Sequence, residues 1–107
     1  MTKLIVTALA FAACAMTPAL ADQAGDKLCS SKASYAASVM KGRQNGTSLQ
    51  KMLDALASSP NSKLIAKEAR SLIITAYKQP AFSTGAYQEK AIREFADQVQ
   101  VSCLESL

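Results

Sequence analysis

Leu49, Met52, Leu53 and Leu56 recur at i, i+3, i+4 and i+7, with Lys51 and Asp54 between them. That spacing lays the apolar side chains along one face of an α-helix and is the cleanest periodicity in the chain. Three further segments carry the same period. Residues 26–43 place Leu28, Cys29, Ala33, Tyr35, Ala36, Val39 and Met40 on one broad arc, opposite Ser30, Ser31, Ser34, Ser38 and Lys41. Residues 62–78 align Ile65, Ala69, Leu72, Ile73 and Ala76, and residues 84–104 align Ala91, Ile92, Phe95, Ala96, Val99 and Cys103. No run of β-branched residues alternates with period two, so the pattern predicts helices and no strand.

Local chemistry sets the predicted boundaries. Asn45-Gly46 ends the first helix, because both residues tolerate the left-handed conformation beyond a helix C-terminus, and Gly42 weakens the last turn. Thr47 and Gln50 have capping-box spacing, which starts the second helix at Thr47. Ser58-Ser59-Pro60-Asn61 reads as a turn. Pro80 disfavours helical geometry at Gln79 and stops the third helix. Ser83 is the N-cap candidate of the fourth.

The segment before the first helix reads as an export signal. Lys3 supplies a positive start, Leu4 to Ala13 is an apolar run in which Thr7 alone is polar, Pro18 breaks it, and Ala19-Leu20-Ala21 has the small-x-small form of a cleavage site. The expected division is a signal peptide over residues 1–21, cleaved after Ala21, and one small helical domain over residues 22–107. Two rivals exist for this segment. A membrane anchor needs about 20 apolar residues, and Thr17 and Pro18 spoil the longer window. A lipoprotein would use Cys14 after Ala12-Ala13, but Phe11 stands where Leu is usual. The expected location is periplasmic or secreted, with no integral membrane segment after cleavage.

Cysteine use agrees with export. Cys14 leaves with the leader, so Cys29 and Cys103 remain, and an even count in a small exported domain reads as a disulfide. Such a bridge closes a loop of about 75 residues, worth about 4.5 kcal/mol in the chain-entropy treatment. Each half-cystine lies on an apolar arc of the first or last helix. The predicted fold is therefore all-α: a compact four-helix bundle-like domain with its ends tied by one disulfide.

Charge narrows the partners. The chain has 12 Lys+Arg against 8 Asp+Glu. Residues 27–78 hold nine basic and two acidic side chains, whereas residues 79–107 hold two basic and four acidic. A basic exported domain has no reason to meet nucleic acid, and its expected partner is an envelope protein or an anionic envelope component. Lys63, Lys67, Arg70 and Lys78 fall together on the third helix, opposite its apolar face, with Ile74 among them. This stripe is the candidate partner-binding surface; read blandly, it is an ordinary solvated face.

Candidate chemistry is sparse. The chain has no His, which removes the commonest general base and the usual triads. If both remaining cysteines are oxidised, no thiol nucleophile is left. Glu89, Glu94 and Asp97 cluster on the fourth helix, but beside Lys90 and Arg93 they read as a solvated, paired face. No calcium-loop pattern is present, so neither a metal nor another cofactor is expected. Lys32 and Arg43, eleven residues apart, share one side of the first helix within its apolar arc. That placement suggests an interior ion pair from Arg43 to Glu94 or Asp97. Tyr77 and Phe82 flank Pro80 and are expected to cap the end of the core, the alternative being a small exposed apolar patch.

Taken together, Cys29, Met40-x-x-Arg43-Gln44-x-Gly46-x-Ser48, Tyr77-x-x-Pro80, Ile92-Arg93-Glu94-Phe95 and Cys103 form a pattern over nearly the whole predicted domain. It resembles small exported two-cysteine helical proteins of bacteria and phages, a group with no assigned activity. The resemblance implies that Arg43-Gln44 is a recurring feature of such proteins, for packing or for recognition, and it implies no activity; Arg43, Gln44, Tyr77 and Pro80 are here expected to be structural. The architecture alone is also similar to that of small helical periplasmic acid-stress chaperones with one disulfide, which are not basic in this way and share no motif with it.

The function expected from these features is a non-enzymatic binding module that contacts another envelope protein, as an inhibitor, immunity protein, adaptor or holdase would. One rival is attachment to an anionic polymer or membrane surface through the same basic stripe. The other is a small cell-wall-directed enzyme working through Glu89, Glu94 or Asp97.

Overall fold

A computed structural model describes residues 18–59 and 62–107, with the side chains of residues 18–21 and 62–65 outside that description. Within it the chain forms four helices and no strand: α1 (Pro18–Gln44), α2 (Leu49–Ala57), α3 (Ser62–Tyr77) and α4 (Gly85–Glu105). Most of the expected leader, including Cys14, lies outside the described residues. α1 starts at Pro18, earlier than the predicted Asp26, and runs unbroken past Ala21. Proline suits a first helical position, where its missing N–H has no partner to lose.

α1 is the axis of the fold, with α4 packed along it and α3 against it. Cys29 near the start of α1 is joined to Cys103 near the end of α4, and Gln44 at the end of α1 meets Gln88 at the start of α4, so the two helices are antiparallel. α3 runs parallel to α1. Lys32 pairs with Glu68 at 2.8 Å, and Arg43 donates to the carbonyl of Gln79, both at an offset of 36 residues. Parallel travel requires a return segment, which α2 supplies before it lies down against α3 and the edge of α1.

The core is built from Ala36, Val39 and Met40 of α1, Ile73 and Ala76 of α3, and Phe95 of α4. These are the residues that the apolar arcs select, with two departures. Leu28 is 52% exposed, because it lies beyond this cluster on the flank of α1. The regular stripe of α2 contains no fully buried residue: Met52, Leu53 and Leu56 are half-buried and Leu49 is exposed. α2 covers the edge of a core that α1, α3 and α4 build. Gly42 is where it comes closest. A Cβ there would meet the terminal methyl of Met52, so the residue that weakens the last turn of α1 also gives α2 its seat.

The chain leaves α1 through a Schellman turn. Gly46 has φ +86°, the Thr47 N–H donates to the Gly42 carbonyl, and the Gly46 N–H donates to the Arg43 carbonyl. Two caps differ from expectation. Ser48, not Thr47, caps α2, with its hydroxyl accepting from the Lys51 N–H at 3.1 Å. The Thr47 carbonyl instead accepts from the Tyr77 hydroxyl. Thr84, not Ser83, occupies the N-cap of α4 and makes no side-chain capping bond.

The Cys29–Cys103 disulfide has Cα atoms 5.5 Å apart and spans 74 residues, within the ordinary reach of a cystine. Among the described residues, no helix is long and apolar enough to cross a membrane.

Candidate functional site

The sequence singled out two sets of residues, and the structure places them in different environments. Arg43, Gln44, Tyr77 and Pro80 converge where α1 ends and the α3–α4 loop passes over it. Gln44 is buried, and its side-chain amide works in both directions. Its Nε2 donates to the Pro80 carbonyl at 2.9 Å and to the Met40 sulfur at 3.4 Å, while its Oε1 accepts the Phe82 N–H at 2.7 Å. Gln88 closes the arrangement from α4. Its Nε2 donates to the Phe82 carbonyl at 2.7 Å and to the Gln44 carbonyl at 3.5 Å.

Arg43 forms no ion pair with Glu94 or Asp97, contrary to expectation. Its guanidinium donates twice to the Gln79 carbonyl, each at 3.2 Å, and its carbon stands 5.2 Å from the centre of the Tyr77 ring. The physical reason is direction: Arg43 lies on the α3 flank of α1, whereas Glu94 pairs with Lys90 on its own helix at 3.8 Å. Burial pushes the Tyr77 phenol above the usual tyrosine range, partly opposed by the Arg43 charge. The four residues thus form a clasp that fixes a loop having little regular structure of its own.

The basic stripe is laid out differently. Lys67 and Arg70 are exposed on α3, Ile74 is 37% exposed, and Lys78 is exposed just past the helix end. The side chain of Lys63 lies outside the described residues. Lys67 also belongs to a second feature that sequence reasoning did not find. α3 and α4 are both packed on α1 but scarcely touch one another, and an open groove of about 800 Å³ runs between them. Its α3 wall is Lys67, Glu68, Ser71, Leu72 and Thr75, and its α4 wall is Phe95, Gln98, Val99 and Ser102. A smaller hollow of about 270 Å³ continues it toward the loop, bounded by Pro80, Phe82 and Tyr87. Phe95 and Gln98 line both, so the two are halves of one trough.

Phe82 does not cap the core with Tyr77 as expected. Tyr77 is half-buried against the core, but Phe82 is 38% exposed and pairs with the exposed ring of Tyr87, centroids 5.8 Å apart. The Gln44 and Gln88 bonds to the Phe82 backbone turn its ring outward. Glu89, Glu94 and Asp97 are all exposed on α4, and Glu94 borders the smaller hollow. Among the described residues, no group of three or more His, Cys, Asp or Glu side chains is positioned to hold a metal ion.

No protein-family model, curated protein or solved structure matches this chain. The resemblance to small exported two-cysteine proteins therefore rests on its residues alone.

Proposed function

We propose that this chain is a non-enzymatic binding module that contacts another envelope protein through α3 and the trough beside it. One observation carries the reading. Lys67 belongs at once to an exposed cationic face, with Arg70 and Lys78, and to the wall of an open trough floored by Leu72, Phe95 and Val99. Cationic residues beside a concave apolar surface supply steering and a desolvated centre together, the two ingredients of a specific protein interface. A purely electrostatic contact with polymer or lipid needs only the first.

The experiment is a cross-linking pull-down with the mature protein from periplasmic extract, at low and high salt, comparing the wild type with the Lys67→Glu/Arg70→Glu variant. The expected result is one protein, recovered in stoichiometric amount, that survives high salt and is lost with the variant. Recovery of lipid or glycan alone, vanishing at high salt, would overturn the proposal in favour of an anionic surface, because exposed charges are screened beyond about 8 Å at physiological ionic strength.

A further inference from the structure

Asn45-Gly46 is the centre of the Schellman turn between α1 and α2, away from the proposed interface. Asn45 is exposed, and Gly46 has φ +86° with open space where a Cβ would stand. We propose that this pair is a site of spontaneous main-chain modification, closed while the turn is intact and opened when the turn is lost.

The reaction needs only hydroxide and water. Hydroxide takes the proton of the Gly46 amide, and the nitrogen attacks Cγ of Asn45. The N–Cγ bond forms, the Cγ–Nδ2 bond breaks, and the side-chain nitrogen takes a proton from water and leaves as ammonia. Water then opens the cyclic imide. Addition at Cγ gives aspartate. Addition at the main-chain carbonyl carbon of Asn45 gives isoaspartate, whose main chain runs through Cβ. Glycine in the attacking position carries no side chain to crowd the ring. The chain's other asparagine, Asn61, is followed by Ser62 and has no such freedom.

In the folded chain the attacking group is engaged. The Gly46 N–H donates to the Arg43 carbonyl at 3.2 Å. On either side, the Asn45 N–H donates to the Lys41 carbonyl and the Thr47 N–H to the Gly42 carbonyl, each at 3.0 Å. Removing the Gly46 proton would set an anion against a carbonyl oxygen, at the negative pole of α1. The turn is tied from outside as well, by the Tyr77 hydroxyl on the Thr47 carbonyl and by Met52 seated on Gly42. Attack therefore waits for the turn to open, and its rate follows the fraction of open molecules.

The isoaspartate product cannot return to this turn. Its extra main-chain carbon falls inside the rings closed by the Gly46–Arg43 and Thr47–Gly42 bonds, so the register that satisfies both is lost. Thr47 then no longer presents its carbonyl to Tyr77. The aspartate product keeps the main chain intact, and Lys41 and Arg43 in the last turn of α1 offset its charge at the unfavourable pole. The two products have equal mass but different folds at the turn. Unfolding thus leaves a lasting mark: a chain that has once lost the turn and formed isoaspartate refolds without it.

The test incubates the oxidised protein in mildly alkaline buffer, folded and in guanidinium chloride. Peptide mass spectrometry follows Asn45 and Asn61, with isoaspartate separated from aspartate by chromatography. In guanidinium Asn45 should convert well ahead of Asn61. In the folded protein Asn45 should convert about tenfold more slowly than in guanidinium. Asn45→Gln, whose longer side chain closes a less favourable ring, should stay unconverted at that position in both. The isoaspartate form, returned to native buffer, should exchange the Thr47 amide faster than the wild type and faster than Asn45→Asp. Conversion of Asn61 ahead of Asn45 would overturn the site. Equal Asn45 rates in the two states would overturn the closing role of the turn. Wild-type exchange at Thr47 in the isoaspartate form would show that the turn re-forms and that unfolding leaves no mark.

Discussion

The two ends of the α1–α4 pair are held by different kinds of bond. At one end Cys29 and Cys103 are covalently joined; at the other, Gln44 and Gln88 hold the loop between α3 and α4 by hydrogen bonds. The core explains the difference. Met40, Val39, Ile73 and Phe95 lie between the middle of the molecule and the clasp, whereas among the described side chains the buried ones near the disulfide are Cys29, Ala33, Ala69 and Cys103. Small side chains remove little apolar surface from water, roughly 25 cal/mol per Å², so packing alone gives that end little grip. The trough is also larger there than beside the clasp. An open surface and, among the described residues, small buried side chains coincide at the end that carries the covalent link. The end with a full core instead uses directional bonds to set the shape of a loop.

The largest test of this contrast removes the covalent link. Replacing Cys29 and Cys103 together by Ala should lower the unfolding free energy by about 2–5 kcal/mol, read by urea denaturation. A loss below about 1 kcal/mol would mean that the small residues hold that end unaided, and the contrast would collapse.

A change at the clasp should cost less and act locally. Gln44→Leu leaves the Pro80 carbonyl and the Phe82 N–H without their partner, and because both belong to exposed loop residues that water can reach, the loss should be about 1–2 kcal/mol in all. Amide exchange at Phe82 should accelerate well beyond what the change in global stability explains. Uniform acceleration over α1 and α4 would show instead that the clasp carries the whole pair.

Arg43→Met should have a smaller effect, about 1 kcal/mol by thermal unfolding, since it removes a partly exposed contact with the Tyr77 ring and two bonds to one carbonyl. The smallest effect concerns pH. Burial raises the Tyr77 and Tyr35 phenols in the folded state, so the folded chain holds these protons more tightly than the unfolded one. Their contribution is complete below the unfolded tyrosine pKa of about 10 and is lost as pH rises through the folded values. Tyr77→Phe should make the fall in melting temperature between about pH 9 and 11 shallower without abolishing it, because Tyr35 remains.

Much of the helical layout was legible before any tertiary structure. α3 and α4 lie within one residue of their predicted bounds because Pro80 and the apolar arcs mark them. Gly46 adopts the left-handed conformation for which its lack of a side chain suits it. The capping residues were read one position early at both α2 and α4, since neighbouring Thr and Ser offer the same chemistry and only backbone geometry chooses between them.

The candidate site was legible only in part. Arg43, Gln44, Tyr77 and Pro80 stood out as a set, but their purpose did not, because Arg43 and Gln44 bond to backbone atoms about 36 residues away. Those atoms have no fixed position until α3 has packed against α1. The trough left no trace in the pattern, since Leu72, Phe95 and Val99 occupy core positions of their helices.

The amino-acid sequence by itself determined the helices, their apolar faces, the basic character of α3 and the cysteines available for pairing, because each depends on residues within a few turns of one another. Tertiary structure alone decided that α3 runs parallel to α1, that α2 lies outside the core, and that one corner of the bundle stays open. Periodicity states which side of a helix avoids water, and only packing in three dimensions states which neighbour covers it.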